Sequence, residues 1–258
     1  MVVEDREFRE GEYVLLYMDE RRRWIVKLEK GKKFHTHKGI VDLDRVIGKL
    51  PGITLKTTLG TTVYVLRPSL TDFLLKISRK TQIIYPKDMA VIAALADITP
   101  GSLVVEGGTG SGALACFLAS RVMPTGKVVS YEVREDVQKV AEKNVKRLGL
   151  EKFIELKLGD LTEGIEERNV DAVVLDMPVP WRVIPHAKAA LKHGGFFASF
   201  SPTINQVEKT VEKLQEEGFV DTRALEVMVR EYKVKKGETR PHTRMTGHTG
   251  FIVVARRA

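Results

Sequence analysis

Gly107-Gly108-Thr109-Gly110-Ser111-Gly112 sits between a strand-like run at 103–106 and a helix-like one at 113–122. Glycines at this density let a chain turn sharply and approach a ligand without side-chain interference. The helix after them points free N–H groups at whatever lies in the turn. From Pro86 onward, strand and helix patterns alternate. A helix opens at Tyr85-Pro86-Lys87-Asp88, with proline in its first turn. Strands come at 103–106, 127–131, 153–158, 172–175 and 195–200, with helices at 113–122, 135–148, about 185–191 and 204–217. That rhythm predicts an α/β, doubly wound, Rossmann-like parallel sheet covered on both faces, with ligands outside the carboxyl ends of its strands. It breaks at the end, where 219–232 and 250–255 are strand-like and only a basic loop separates them. An antiparallel pair closing the sheet is the expected outcome.

Before Ser69 the texture differs. Short aromatic and aliphatic runs at 13–18, 23–28, 54–58 and 61–66 read as strands. Leu59-Gly60 suits a tight hairpin, and His35-Thr36-His37-Lys38-Gly39 reads as a surface loop. The expected division is a small β-rich domain at 1–69 and a larger domain at 70–258. The two histidines lack a third ligand nearby, so no metal site is expected. One cysteine, Cys116, excludes an intrachain disulfide and a cysteine zinc cluster; on the helix after the glycine loop it reads as a core residue. No run reaches the roughly 18 apolar residues that suggest a membrane helix. The first seven residues are charged and carry no apolar signal core, so the expected location is the cytoplasm.

Net charge is +8, unevenly spread. Residues 1–70 hold 14 Lys/Arg against 10 Asp/Glu, 71–232 hold 21 against 23, and the last 26 residues hold 7 against 1. A near-neutral body between basic ends suits a protein that grips a polyanion. Three asparagines and four glutamines among many charged residues fit a thermophile's composition.

A glycine loop alone also satisfies a loose dinucleotide fingerprint. Four acids sharpen the reading: Glu106, Glu132, Asp160 and Asp176 each end one of four successive strands. Helix capping accounts for one such acid but poorly for four on the same rim. An acidic rim suits a cationic sulfonium with an amino group and ribose hydroxyls better than an anionic pyrophosphate.

At this point the chain resembles the class I, S-adenosylmethionine-dependent methyltransferases. The resemblance implies that Glu132 holds the ribose hydroxyls, Asp160 meets the adenine amino group, and Glu106, Gly107, Gly108, Thr109, Gly110, Ser111 and Gly112 face the methionine part. Ile84-Tyr85-Pro86-Lys87-Asp88 and Thr246-Gly247-His248-Thr249-Gly250-Phe251, together with the Glu106–Gly112 loop, narrow it further. In their order along the chain, 84–88, 106–112 and 246–251, they resemble the TrmI family of tRNA (adenine-N1)-methyltransferases, which also carry a small N-terminal β-domain. What this implies is tRNA as substrate, methylation of adenosine 58 in the T-loop with its neighbour 57 as an archaeal addition, and a homotetramer.

N1-methylation leaves positive charge on the base, and Asp176, expected also among the cofactor-binding residues, is the expected carboxylate near its amino group. The target base must be extruded from a folded loop and held by stacking. Tyr85 is expected to do this, with Trp181 and Phe200 as further aromatic candidates against a plain packing role. Lys87 and Asp88 are expected to stabilise the helix start. Lys235, Lys236 and Arg240, on the basic stretch 233–244, are expected to meet phosphates; a solvated loop is the alternative. His242 and His248 carry no expected catalytic role. Competing readings are a class I methyltransferase for protein or small molecules, a nicotinamide-dependent oxidoreductase, and a silent RNA-binding subunit.

Overall fold

The computed structural model describes residues 6–258, so the charged opening 1–5, read above for location, lies outside the described residues. The chain divides into two compact units, with the division between Lys76 and Ile77.

In the first unit β1 (Tyr13–Tyr17), β2 (Arg23–Lys27), β5 (Ile53–Lys56) and β6 (Thr62–Leu66) form an antiparallel sheet in the order β2-β1-β6-β5. Phe8, Leu16, Leu28, Leu43, Val63 and Val65 share its core. Helix α1 (Leu70–Leu75) belongs to this unit rather than to the second. Its Leu74 is fully buried, and Phe73 meets Tyr13 edge-on at 5.7 Å. A capping box starts it: Asp72 N donates to Ser69 Oγ, and Ser69 N donates to the Asp72 carboxylate.

The expected loop at 35–39 is corrected by the structure. Lys33–Thr36 (β3) pairs antiparallel with Gly39–Asp42 (β4), so only His37-Lys38 turn. Gly39 makes this possible: at φ +101 a Cβ there would lie 2.8 Å from Leu59 N.

The second unit opens with α2 (Pro86–Leu95), its proline in the first turn. Then come β7 (Leu103–Gly107), α3 (Ala113–Val122), β8 (Lys127–Glu132), α4 (Glu135–Leu148), β9 (Ile154–Leu158), β10 (Val170–Leu175), α5 (Ile184–Ala190), β11 (Leu191–Ser201) and α6 (Ile204–Glu216). The chain ends with β12 (Phe219–Glu226), two short strands β13 (Tyr232–Lys233) and β14 (Arg240–Pro241), and β15 (Phe251–Arg257). Seven strands make one sheet in the order β12-β15-β11-β10-β7-β8-β9. The five from β7 to β11 run parallel, and β15 lies antiparallel between β11 and β12. The expected doubly wound sheet with a closing antiparallel pair is therefore present. Strand order reverses at β7, so the glycine loop leaves the sheet at its switch point, where a ligand crevice opens.

Two details depart from the expectation. The strand expected over 219–232 stops at Glu226, and the basic stretch carries the small β13–β14 ladder instead of being wholly irregular. The backbone after Glu226 is thereby freed to leave the sheet. Among the described residues, no helix is long and apolar enough to cross a membrane, and no group of three or more His, Cys, Asp or Glu is placed to hold a metal ion.

Candidate functional site

At the carboxyl ends of β7, β8, β9 and β10 lies a cavity of about 620 Å³, within the roughly 300–1,000 Å³ of small-molecule sites. Gly107 through Ser111, Glu132, Asp160, Asp176 and Phe200 line it, joined by Thr81, Gln82, Ile83 and Ile84 from the segment before α2. The glycine loop is fitted to its neighbours. Gly108 N and Thr109 N donate to the Tyr131 carbonyl at 3.0 and 3.1 Å, and Asp176 N donates to the Gly107 carbonyl at 2.8 Å. Gly112, at φ +78, starts α3 against Ala141 of α4, where a Cβ would come within 3.2 Å of the Ala141 side chain.

The four acids have different surroundings. Glu132 is buried and preset by backbone: Gly110 N donates to one carboxylate oxygen at 2.9 Å, and Val133 N and Arg134 N donate to the other at 3.1 Å. Asp160 is exposed and accepts from Thr162 N at 2.8 Å, a bond that holds its carboxyl below the usual range. Asp176 is half-buried at the end of β10, and burial pushes its carboxyl up to about 7. Glu106 is 0% exposed and lies beneath the loop rather than in the lining. Ser130 Oγ donates to it and is joined to Thr109 Oγ1 at 2.6 Å. Burial raises Glu106 to about 7; the Ser130 bond opposes this, and the charges of Asp176 and Glu132 add to it. Three acids so placed repel one another and favour a cation among them.

The aromatic candidates separate. Phe200 lines the cavity and is packed from behind by Gly250, where a Cβ would come within 2.3 Å of the ring. Tyr85 is the N-cap of α2 and 45% exposed; it stands one residue beyond the lining, next to Ile84. Trp181 is outside the lining, packed against the core of the second unit, with Lys209 Nζ of α6 5.1 Å over its ring. Lys235, Lys236 and Arg240 are exposed on the β13–β14 excursion, none in the cavity wall. Lys235 already pairs with both oxygens of Glu238 at 2.8 Å. Cys116 is buried, and burial pushes its thiol up to about 12, so it is inert packing.

Sequence reasoning reached Ile84 only as the start of a motif and missed Thr81, Gln82 and Ile83, since no motif marks an irregular segment that reaches the loop only in the fold. Thr81 Oγ1 would lie 2.9 Å from a Cβ at Gly110. It missed also that Lys87 and Asp88 bond to Thr249 across 162 and 161 positions.

The model described as the tRNA methyltransferase complex GCD14 subunit matches residues 61–240, and one described as TrmI-like N-terminal matches 7–55. A Methanocaldococcus jannaschii protein named tRNA (adenine(57)-N(1)/adenine(58)-N(1))-methyltransferase TrmI is 41% identical, over 95% of this chain and 94% of its own. Among solved structures, a Thermotoga maritima protein described as a SAM-dependent O-methyltransferase superposes with TM-score 0.93 at 42% identity, over 97% of this chain and 94% of its own. The tRNA (m1A58) methyltransferase TrmI from Aquifex aeolicus gives 0.86 at 32% identity, over 98% and 99%.

The protein is a methyltransferase and S-adenosylmethionine is its methyl donor, which removes the nicotinamide reading. The residues present fit that donor. Thr81 Oγ1 and Ser111 Oγ in the wall, and Glu106 Oε1 beneath it, are buried without a hydrogen-bond partner, and such oxygens are costly unless a ligand or water meets them. The surrounding acids match the positive charge of a sulfonium and an ammonium. Matched by the family model over most of its length and by relatives nearly end to end, the chain belongs to the family of the tRNA methyltransferase complex GCD14 subunit.

Proposed function

We propose that this enzyme transfers a methyl group to N1 of adenosine 58 in the T-loop of tRNA, and also to adenosine 57. The observation that carries it is the near end-to-end match, at 41% identity, to an enzyme named for both positions, with TrmI-type sequence in both units. The catalytic chemistry belongs to the second unit. We place the reaction in the cytoplasm and the active form as a homotetramer, on the strength of the TrmI resemblance; a solution mass other than four chains would overturn the assembly.

Bound S-adenosylmethionine supplies an electrophilic methyl group on a sulfonium. Thr81, Ser111, the glycine loop and Glu132 would hold and orient that donor, and Asp160 would receive its adenine end. Adenine N1 has a lone pair and carries no proton, so no general base is needed and alignment is the main task. The bond to N1 would form as the methyl–sulfur bond breaks, leaving S-adenosylhomocysteine with a neutral sulfur, so the positive charge would pass to the base. Asp176, ionised, accepts from the N6 amino group and stabilises that charge. Tyr85 and Phe200 hold the extruded base by stacking, Trp181 serves as packing, and the excursion bearing Lys235, Lys236 and Arg240 meets phosphates.

The Thermotoga description favours a second reading, transfer to oxygen. Incubating the protein with unmodified tRNA transcript and labelled donor, then digesting to nucleosides for mass spectrometry, separates the two. The expected product is 1-methyladenosine; a 2′-O-methyl nucleoside, or no transfer to tRNA, would overturn the proposal.

A further inference from the structure

Glu226 ends β12 and Phe251 begins β15, and the two are register partners although 24 residues lie between them. The excursion 227–250 therefore has two roots side by side. Both are tied to the first turn of α2. Lys87 Nζ donates to Asp88 Oδ1 at 2.8 Å, to the Val227 carbonyl at 2.6 Å and to Thr249 Oγ1 at 2.7 Å. Those three acceptors use all three N–H groups of an ammonium. Thr249 Oγ1 in turn donates to Asp88 Oδ2 at 2.9 Å, closing a ring of bonds. Asp88 is 0% exposed and Lys87 is mostly covered, so this is no surface pair whose geometry solvent dissolves.

A lysine and an aspartate at a helix start need no partner 140 to 162 positions away to perform a capping role. What these bonds do is hold the two roots at one place. That place is the rim of the cavity. Two residues before Pro86, Ile84 lines the wall, and Tyr85 caps α2 between them. From the other side, Gly250 packs on the wall residue Phe200, while His248 faces Glu226 Oε1 at 2.6 Å and the carbonyl of Pro202, another wall residue, at 3.1 Å.

We propose that Lys87, Asp88 and Thr249 form a latch that fixes both roots of the 227–250 excursion to the cavity rim, and that tRNA is engaged productively only while the latch holds. These are positioning residues: they touch neither the reacting atoms nor phosphate. The excursion's basic tip, with Lys235, Lys236 and Arg240, and the stacking residue Tyr85 are thereby set in one frame. Pinning both roots removes part of the conformational freedom that the excursion would otherwise lose when RNA binds. The inference rests on the tRNA reading above.

Thr249→Val removes the hydroxyl and leaves the Lys87–Asp88 pair in place. It is expected to raise KM for tRNA about tenfold, while kcat and the affinity for S-adenosylhomocysteine stay within twofold of wild type. Thr249→Ser, which restores the hydroxyl, is expected to return KM to within twofold. Lys87→Arg, which exchanges a compact three-donor head for a planar fork, is expected to raise KM as Thr249→Val does. An unchanged KM in Thr249→Val or in Lys87→Arg, an equal defect in Thr249→Ser, or a loss of cofactor binding in Thr249→Val would each overturn the latch. Absence of tRNA methylation by the wild-type protein would instead sink the functional reading. The latch is then read by amide exchange over 227–231 and 245–250, expected to be faster in Thr249→Val, with equal exchange overturning it.

Discussion

Gly108 lies so close to Asp176 that a Cβ at residue 108 would stand 2.0 Å from the Asp176 carbonyl oxygen. The glycine loop after β7 and the acid after β10 are thus one packed unit: whatever displaces the first displaces the second. Gly108→Ala also places a side chain at φ +90. Overpacking costs about 1–3 kcal/mol, and the backbone strain adds to it. The variant is expected to lose S-adenosylhomocysteine affinity by roughly tenfold or more by titration calorimetry and to melt several degrees lower. Gly247→Ala, with open space around it and no special φ, should melt as wild type does.

Asp176→Ala removes the carboxylate assigned to the developing charge. Turnover is expected to fall by about 10²–10³, far more than cofactor affinity falls. Single-turnover rates at saturating tRNA and donor check this. Equal rates for variant and wild type would remove Asp176 from the chemistry.

Glu106 and Asp176 both stand at about 7 without a cation beside them, where the ordinary values are 4.5 and 3.8. Between those ordinary values and about 7 the folded protein holds protons that the unfolded chain has released. Stability of the free protein should therefore fall as pH rises through that window. A cation binds best to the ionised pair, so affinity for the sulfonium donor should rise with pH up to about 7 and level off above it. Below that point the change is at most about tenfold per pH unit for each proton displaced. A titration that stays flat from mildly acidic to mildly alkaline pH would contradict the assignment.

Tyr85→Ala should lower kcat/KM for tRNA by about 5- to 150-fold, the equivalent of one base stacked at about 1–3 kcal/mol. Tyr85→Phe keeps the ring face and should retain most of the activity. If Phe is as poor as Ala, the hydroxyl and not stacking is at work.

Neutralising Lys236 and Arg240 is expected to weaken tRNA binding and to flatten the slope of log K against log salt by about 0.7–0.9 for each phosphate no longer neutralised. Lys235 must first leave Glu238, so its removal should change the slope least. Filter binding across a salt series reads this out, and an unchanged slope for the Lys236/Arg240 pair excludes phosphate binding there.

What the sequence by itself determined is everything governed by local pattern. Alternating helical and strand periods specify the doubly wound sheet, and the glycines at 107–112 mark its switch point. Acids at strand ends are legible because a strand carries its last residue to the sheet's rim whatever the loops do. That logic placed Glu132, Asp160 and Asp176 at the cavity and failed for Glu106, which stands just inside the end of β7 and lies under the loop on Ser130. Only the tertiary structure decided which non-local residues complete the site. Thr81 reaches the wall through an irregular segment without period, and Trp181 turns to the core although its position after β10 suggests the rim. Lys87 and Thr249 meet across 162 positions. Their bonds depend on where α2 packs against the ends of β12 and β15. Packing of that kind is a sum over many distant interactions, and no short stretch of sequence records it.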